Sequence, residues 1–516
     1  MKAKIHKYIY LAGLCIIAFF LPLSEYITNA ATLMIITNFL LELKFKQKLK
    51  KLWDNKSILI FVSIFFVHLL WLINTQNFEF AFNDIRIKLP LLALPIVIGA
   101  SEAINRKQLN LIVSLFLGGV LISTLSGLFV YFDFIDNPNP YNLRDVSIFI
   151  SHIRLSLMVC LSVLIIFYFM HERLFFTGYK TALAIVLIIW FVGFLVMIQG
   201  FTGLTSLVIV GLVSLAYKAI SEQKLIRKVI YFVFVIGIPL LLIIYLGVQI
   251  KTFYTPTIEQ SEYKTHTESG NAYYHDFESK LLENGNYIYV NICEKELYSE
   301  WSKRSEISLD GEDGKGQSQL HTLIRYLTSR GLTKDANGII ELSDQDIRNI
   351  ENGFTNYRFV NKNNLNQRVY NIIWQIDVYS KGGNPSGHSI TQRFEYLKAG
   401  SILAYRNIIF GLGTGDIDDA YKALYLEKRS QLDSQYRHRA HNQFLTFFVT
   451  FGSIGALLCL FAFFYPAISE FSNKNYYFAV FFLIAVLSMI TDDTLETTTG
   501  VVFISYFYSL FLWGEK

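Results

Sequence analysis

The chain repeats one feature from end to end, namely apolar runs close to the length of a bilayer-spanning helix, separated by short charged connectors. In helical form such a run satisfies all its backbone polar groups internally, which the hydrocarbon core demands. Twelve runs are predicted, with edges near 8–23, 26–41, 57–74, 89–100, 109–132, 148–170, 181–199, 202–218, 229–250, 441–465, 475–490 and 500–513. We therefore predict an all-α polytopic membrane protein with about twelve transmembrane helices.

Composition supports a membrane protein and argues against other classes. Of the 516 residues, 53% are hydrophobic and the mean hydropathy is +0.36, which excludes a disordered chain and disfavours an ordinary soluble enzyme. The net charge of +5 is small, and anionic lipid headgroups explain the basic run at 44–56 better than nucleic acid does. Because three of the four cysteines lie in predicted spans, no disulfide framework is predicted.

Lys and Arg are concentrated in alternate connectors, which sets the predicted orientation. With the N-terminus inside, the short inner segments hold 19 Lys and Arg residues and the short outer loops hold 3. Translocation of these residues is disfavoured, so both termini are predicted on the inner side. The first span follows a basic leader without a clear small-residue cleavage site, and we expect it to be retained.

A long polar segment separates the ninth and tenth spans. The predicted domains are spans 1–9 at 1–250, this outer segment at 251–440, and spans 10–12 at 441–516. Within the outer segment we predict a compact, mainly helical subdomain at about 255–390 and an amphipathic stretch at 391–409. The predicted elements of the subdomain are a helix at 320–331 that ends at Gly331, a helix opened by Ser343 and Asp346, and a strand at Tyr287–Ile292.

Charged side chains at membrane depth need a partner or a ligand, because their burial in lipid is costly. Snorkelling to headgroups is an alternative for Arg86 and Lys88, whereas Arg154 begins a long apolar run and favours a buried anionic partner. Clustered positive charge before the tenth span can grip an anionic group. The candidates, all at the predicted outer face, are Arg86, Lys88, His152, Arg154, Arg437, Arg439, His441 and Asn442.

Two other patterns do not predict a nucleotide site or a metal site. The glycine run at 411–415 lacks the Gly-Lys-Ser/Thr continuation of a phosphate-binding loop, and a tight turn explains it. A metal site would combine histidines and carboxylates of separate loops, and carboxylates in short outer loops are usually solvated. The candidate ligands of such a site are His438, His441, Asp492, Asp493 and Glu496. No metal and no other cofactor is predicted.

Several motifs resemble the O-antigen ligase and O-antigen polymerase superfamily. The most specific are His-Asn-Gln-Phe-Leu at 441–445 and Phe-Gly-Ser-Ile-Gly at 451–455, preceded by an Arg393 segment that ends in Gly-Leu-Gly-Thr-Gly. The large outer loop before the third-last span is also similar to that family, although the insertion at about 255–390 departs from its general pattern. Further segments resemble the Bacteroidetes branch, namely 151–154, 283–285, 322–329, 387–389 and 492–496.

The resemblance implies a glycosyltransferase of C-type architecture in the bacterial inner membrane, with cytoplasmic termini and a periplasmic loop. It implies metal-independent transfer of a glycan from undecaprenyl diphosphate to an acceptor hydroxyl, and lipid A-core is the expected acceptor. Arg393 and His441 match the family's loop arginine and histidine and are the expected catalytic residues. The expected ligands of the donor diphosphate are Arg154, Arg86, Lys88, Arg437 and Arg439, with His152, Asn442 and Glu395 as candidates for support.

Some alternatives stay open at this level. His441 is expected either to accept the proton of the acceptor hydroxyl or to donate to a phosphate oxygen. A repeat-unit polymerase and a protein O-oligosaccharyltransferase would use the same donor with other acceptors. A polysaccharide transporter or flippase is the alternative from another class, although the sequence shows no twofold internal similarity.

Overall fold

The structure is a computed structural model that describes residues 2–135, 145–171, 178–255, 263–360, 365–470 and 475–515. Within these residues the fold is helical, and its one sheet is a two-stranded hairpin. Parts of the predicted connectors 133–147, 171–180 and 466–475, and of the predicted subdomain at 255–390, lie outside the described residues.

In the first half of the chain the helices follow the predicted apolar runs, and one further helix lies in the basic segment at 44–56. Asn105 begins one of them through a reciprocal capping box with Gln108, which satisfies backbone N–H groups that the first turn leaves open. In chain order these helices are α1 Lys2–Phe20, α2 Glu25–Leu41, α3 Phe45–Asp54, α4 Lys56–Leu70, α5 Phe78–Ala100, α6 Arg106–Tyr131, α7 His152–His171, α8 Tyr179–Met197, α9 Phe201–Ser221 and α10 Leu225–Tyr254.

The second half begins with short elements and returns to long apolar helices. The short elements are β1 Leu282–Glu283, β2 Asn286–Tyr287, α11 Glu294–Trp301, α12 Gln319–Arg330, α13 Ala336–Ile340, α14 Asp344–Glu351 and α15 Leu365–Ser380. They are followed by α16 Ser389–Arg406, α17 Ile417–Glu427, α18 Gln443–Ser469, α19 Tyr476–Thr491 and α20 Thr498–Ser509.

The lengths and compositions of these helices indicate a multi-pass membrane protein. In the described ranges, seven helices are long and apolar enough to cross a bilayer, and α2 with α3, bent by 110°, gives an eighth if the pair is one span. None of the most apolar window of α10 is buried, and a helix that is apolar on all sides is suited to lipid. The shorter apolar helices α19 and α20 overlap two further predicted runs, and twelve crossings stay a prediction.

The chain forms two compact units. A large unit comprises Met1–Tyr231 and Gln392–Lys516, and an inserted unit comprises Phe232–Thr391. The core of the inserted unit includes Trp301 from α11, Leu323 and Leu327 from α12, and Ile350 from α14.

Most sequence predictions for the inserted unit are confirmed, and one is wrong. Gly331 ends α12 in the left-handed conformation, and Ser343 opens α14 through a capping box with Asp346. The strand predicted at Tyr287–Ile292 is wrong, because the extended backbone ends at Tyr287. Its buried apolar side chains reach the core from a turn in which Asn291 has a positive φ of 52°.

In the large unit, α18 is interrupted at Gly452, which has φ 60° and ψ −169°. The backbone of 408–413 lies alongside the break and supplies the missing hydrogen bonds. Ser453 N–H donates to the Ile408 carbonyl at 2.6 Å, and Gly413 N–H donates to the Thr450 carbonyl at 2.9 Å. The two glycine motifs found in the sequence therefore pack against each other, and the 411–415 run has a structural role.

Gly452→Ala is expected to lower the melting temperature markedly. An added Cβ would lie 2.3 Å from the Ile409 carbonyl oxygen, and the backbone conformation is one that only glycine adopts readily. The expected cost is about 1–3 kcal/mol from the backbone conformation, with the overlap in addition. Gly211→Ala on α9 is the control, since nothing lies within 4 Å of its added Cβ. Equal melting temperatures of the two variants in detergent would contradict this account.

Candidate functional site

The short loop that joins α19 to α20, residues 492–497, carries three carboxylates and is called the acidic loop below. Little of each carboxylate side chain is exposed. Asp492 and Asp493 are each 7% exposed, and the side chain of Glu496 is 12% exposed. Each one contacts the start of α18 or the residues just before it. Carboxylates in short loops are usually solvated, so the burial of this loop differs from what its sequence predicts.

Asp493 holds the N-terminus of α18. Its carboxylate accepts hydrogen bonds from the backbone N–H groups of His441 and Asn442 at 3.2 and 3.0 Å, and from the Thr446 hydroxyl at 2.7 Å. An anion in this position is favoured by the helix dipole and the open N–H groups of the first turn. Burial, reinforced by the nearby charge of Glu496, raises the pKa of Asp493.

The next two motif residues also pair with the acidic loop. Asn442 caps α18 by accepting from Leu445 N–H, and its amide donates to the Ile490 carbonyl. Gln443 donates to Glu496 at 3.0 Å and accepts from Leu495 N–H at 2.7 Å. His441, Asn442 and Gln443 thus lie at the N-terminal end of α18, and each of them contacts the acidic loop.

His441 is the partly exposed member of this arrangement. Its Nδ1 lies 3.0 Å from Asp492 Oδ1, and 35% of its side chain is exposed. Burial alone would raise the pKa of Asp492, but the hydrogen bond from His441 and the charges of Arg154 and His441 outweigh it and lower the pKa to about 2. An ionised carboxylate only accepts hydrogen bonds, so Nδ1 must donate. In the neutral ring, Nε2 is then the atom with the free lone pair.

The backbone at His441 is unusual. Its φ of 48° lies in the left-handed region, which non-glycine residues seldom adopt. The conformation is held by the N–H bond to Asp493 and by the ring contacts with Tyr396 and His438, whose centroids lie 5.4 and 6.2 Å away. A strained residue held on both sides is a feature of functional sites.

Arg154 supports Asp492 from inside the helix bundle. It lies in the first turn of α7, is 4% exposed, and places Nη1 2.9 Å from Asp492 Oδ2. Its Nη2 donates to the Asp493 carbonyl at 3.1 Å, and its Nε donates to the Thr497 hydroxyl at 3.3 Å. The expectation of a buried anionic partner for Arg154 is therefore confirmed, and that partner is a protein carboxylate.

Lys88 and Arg439 meet at Glu496. The Lys88 ammonium lies 2.9 Å from Glu496 and also pairs with Asp84, one turn earlier on α5. Arg439 Nη1 lies 3.1 Å from Glu496, and its Nε lies 2.6 Å from Asp418. Burial would raise the pKa of Glu496, but the charges of Lys88 and Arg439 outweigh it and place the pKa well below its usual range.

The charges in this region decide which groups are left for a ligand. The cations Lys88, Arg154 and Arg439 face five carboxylates, those of Asp84, Asp418, Asp492, Asp493 and Glu496. An added diphosphate would have to displace a carboxylate from each of these cations. The cluster therefore organises the site, and its imidazole is the part open to an incoming group.

The remaining predicted residues lie around this cluster. Arg393 and Glu395 are half-buried on α16. Burial raises the pKa of Tyr396 on the same helix to about 12, and the charge of Arg393 partly opposes this rise. Arg437 is half-buried and donates to the Leu432 carbonyl. Arg86 is exposed on α5 and donates to Asn83, and His152 is half-buried at the start of α7. Among the described residues, Arg86, Arg393 and Arg437 have no carboxylate partner in an ion pair.

The structure thus brings His441, Asn442, Arg154, Lys88 and Arg439 into one contiguous network, and Tyr396 links α16 to it. Asp492, Asp493 and Glu496 were missed as members. The available signal was three carboxylates within five residues and no nearby Lys or Arg in sequence, opposite intramembrane cations that needed partners. In the described part of the chain, no three His, Cys, Asp or Glu side chains converge as metal ligands.

The chain matches no family model and no curated protein, so the activity of this site has to be inferred from its own residues.

Proposed function

We propose that the protein transfers a glycan from undecaprenyl diphosphate to an acceptor hydroxyl at the periplasmic face of the bacterial inner membrane. In this proposal it is a metal-independent glycosyltransferase of C-type architecture with twelve spans and cytoplasmic termini, and it acts as an O-antigen ligase on lipid A-core. The observation that carries the proposal is the buried Arg154–Asp492–His441 chain, which ends in a partly exposed imidazole. Burial of this much charge in a membrane protein marks a functional site.

The chain of contacts suits general-base chemistry. Asp492 fixes the His441 ring with Nδ1 as donor, which leaves Nε2 to accept a proton. The acceptor hydroxyl attacks the anomeric carbon of the donor sugar and passes its proton to Nε2. The bond between that carbon and the phosphate oxygen breaks, and undecaprenyl diphosphate leaves with the electron pair.

The leaving diphosphate needs cations that are not already neutralised. In the proposal Arg393 and Arg437 supply them, with Arg86 at the edge of the site, because their guanidinium groups have no ion-pair partner among the described residues. Forked guanidinium groups match phosphate oxygens in a bidentate way. Arg154, Lys88 and Arg439 support the site by holding the acidic loop, and they act on the diphosphate only through the field they create.

Arg393→Ala is expected to lower glycan transfer by about 10²–10³-fold, the usual cost of removing one donor that stabilises developing charge. Arg393→Lys should recover only part of this, because it keeps the charge but loses the fork. Arg406→Ala, at the other end of α16, is the matched control, since its ion pair with Glu427 is exposed. Product formation by purified protein with a labelled lipid-linked glycan measures all three. Equal rates for Arg393→Ala and Arg406→Ala would remove Arg393 from the site.

Reconstitution with defined acceptors tests the function itself. The purified protein is placed in vesicles with undecaprenyl-diphosphate-linked glycan and is offered lipid A-core, a second lipid-linked glycan or a peptide. Product on lipid A-core supports the ligase, product on the lipid-linked glycan a repeat-unit polymerase, and product on the peptide a protein O-oligosaccharyltransferase. Absence of product with all three acceptors would overturn glycan transfer.

A transporter is the second candidate, and the buried Lys88–Glu496–Arg439 group favours it, because such groups also serve as relays in transport proteins. Movement of labelled glycan lipid across the vesicle membrane, without any covalent product, would be the expected result for a transporter.

A further inference from the structure

A groove lies at the opposite end of the large unit's helices from the acidic loop, between the start of α4 and the second half of α18. Its volume is about 420 Å³, within the range of small-molecule sites. The lining is mostly apolar, with Leu59, Ile60 and Ser63 from α4 and Leu458 and Phe461 from α18. Because α4 and α18 are both membrane-capable helices, an apolar groove between them is suited to an acyl chain.

The mouth of the groove is different in character. Trp53, at the end of α3, and Lys56, the first residue of α4, line it. Trp and Lys side chains are typical of the boundary between lipid tails and headgroups, where each has one apolar and one polar part. The groove thus runs along α4 from a charged, amphipathic end towards a mostly apolar one.

The surroundings of the mouth are strongly basic. Residues 42–56 contain six lysines against Glu42 and Asp54. Glu42 pairs with Lys44 and Lys48, whereas Lys46, Lys50 and Lys56 have no ion pair among the described residues. α3 leaves α2 at 110°, which lets a helix lie along a membrane surface when its neighbour crosses the bilayer. This charge complements a lipid headgroup phosphate.

We propose that this groove is a binding site for an anionic diacyl phospholipid. One acyl chain occupies the channel between α4 and α18, and the headgroup phosphate lies between Lys56 and the indole of Trp53. The tail is in an apolar environment whether bound or free, so selectivity for anionic over zwitterionic lipid comes from the lysines. The proposal does not depend on the glycan-transfer activity, because it concerns other residues and a different ligand.

Native mass spectrometry of the full-length protein tests the site. The protein is equilibrated with vesicles that hold equal amounts of phosphatidylglycerol and phosphatidylcholine, extracted in detergent, and its retained lipids are identified. We expect phosphatidylglycerol to be retained in preference to phosphatidylcholine. Lys56→Ala should reduce that preference about fivefold, the effect of one lysine near a headgroup. Lys107→Ala, an exposed lysine at the start of α6, should leave it unchanged.

A second variant separates the groove from the basic surface. Ser63→Trp fills the apolar channel and leaves every lysine in place. Within the described ranges, the Ser63 hydroxyl bonds only to the Ile60 carbonyl of its own helix. We expect this variant to lose the retained lipid while keeping the parent's elution volume and melting temperature. Retention by Ser63→Trp at the parental level would place the lipid on the surface and overturn the proposal. An unchanged preference in Lys56→Ala would overturn it as well.

Discussion

The His441→Ala protein should reach the membrane and fold, yet transfer glycan about 10²–10⁴-fold more slowly than the parent. This is the usual contribution of a positioned general base. The imidazole is the partly exposed end of the buried Arg154–Asp492–His441 chain, and no other group in that chain can take its place. Purified protein with a labelled lipid-linked donor, followed over a range of pH, measures the effect.

The control and the pH profile decide between two roles for His441. His266→Ala changes an exposed histidine of the inserted unit and should match the parent. If His441 is the general base, the parent's rate rises with pH, and the variant lacks this rise. A variant that keeps the parent's profile and rate would remove His441 from the reaction. A rate that instead falls with rising pH in the parent, and not in the variant, would identify a phosphate ligand.

Asp492→Asn is expected to damage both stability and rate. The change leaves Arg154 as a buried cation without its ion pair, which typically costs about 3–5 kcal/mol. It also replaces a carboxylate, which can only accept from Nδ1 of His441, by an amide that can present its NH2 group to Nδ1 instead, so Nε2 is no longer fixed as the proton acceptor. We expect a lower melting temperature in detergent and a rate close to that of His441→Ala.

A double variant separates the two effects of Asp492. Combining Asp492→Asn with Arg154→Met removes both charges, and replacing a buried pair by neutral groups is often neutral for stability. The melting temperature should therefore return towards that of the parent, while the rate stays low because His441 still lacks its carboxylate. Recovery of the rate together with the melting temperature would show that Asp492 acts only through stability.

Local features of this protein could be predicted from sequence, and tertiary pairings could not. Apolar runs and caps are encoded by neighbouring residues, which is why Gly331 and the Ser343 capping box were found. The pairing of Asp492 with His441 joins residues 51 apart, and no periodicity records such a contact. The strand at 287–292 failed because alternating burial does not by itself require an extended backbone.

The anionic partners of the buried cations could not be predicted either, because they also come from distant parts of the chain. Cations at membrane depth need anionic partners, and the family resemblance implies that a donor diphosphate is the partner of Arg154 and Lys88. The structure supplies Asp492 for Arg154, and Asp84 with Glu496 for Lys88. Opposite charges within one chain satisfy each other first, so charge counts at a site have to include every element that packs on it.

The break at Gly452 has a consequence for biogenesis. The part of α18 around Gly452 has its backbone groups satisfied only when 408–413 lies beside it, since Ser453 N–H and the Thr450 carbonyl find their partners there. Open backbone groups cost several kcal/mol each in hydrocarbon. The segment 408–413 comes before α18 in the chain, and it has to lie beside Gly452 once that part of α18 is in hydrocarbon. The docking of 408–413 and the insertion of α18 into the bilayer are thus expected to be coupled steps.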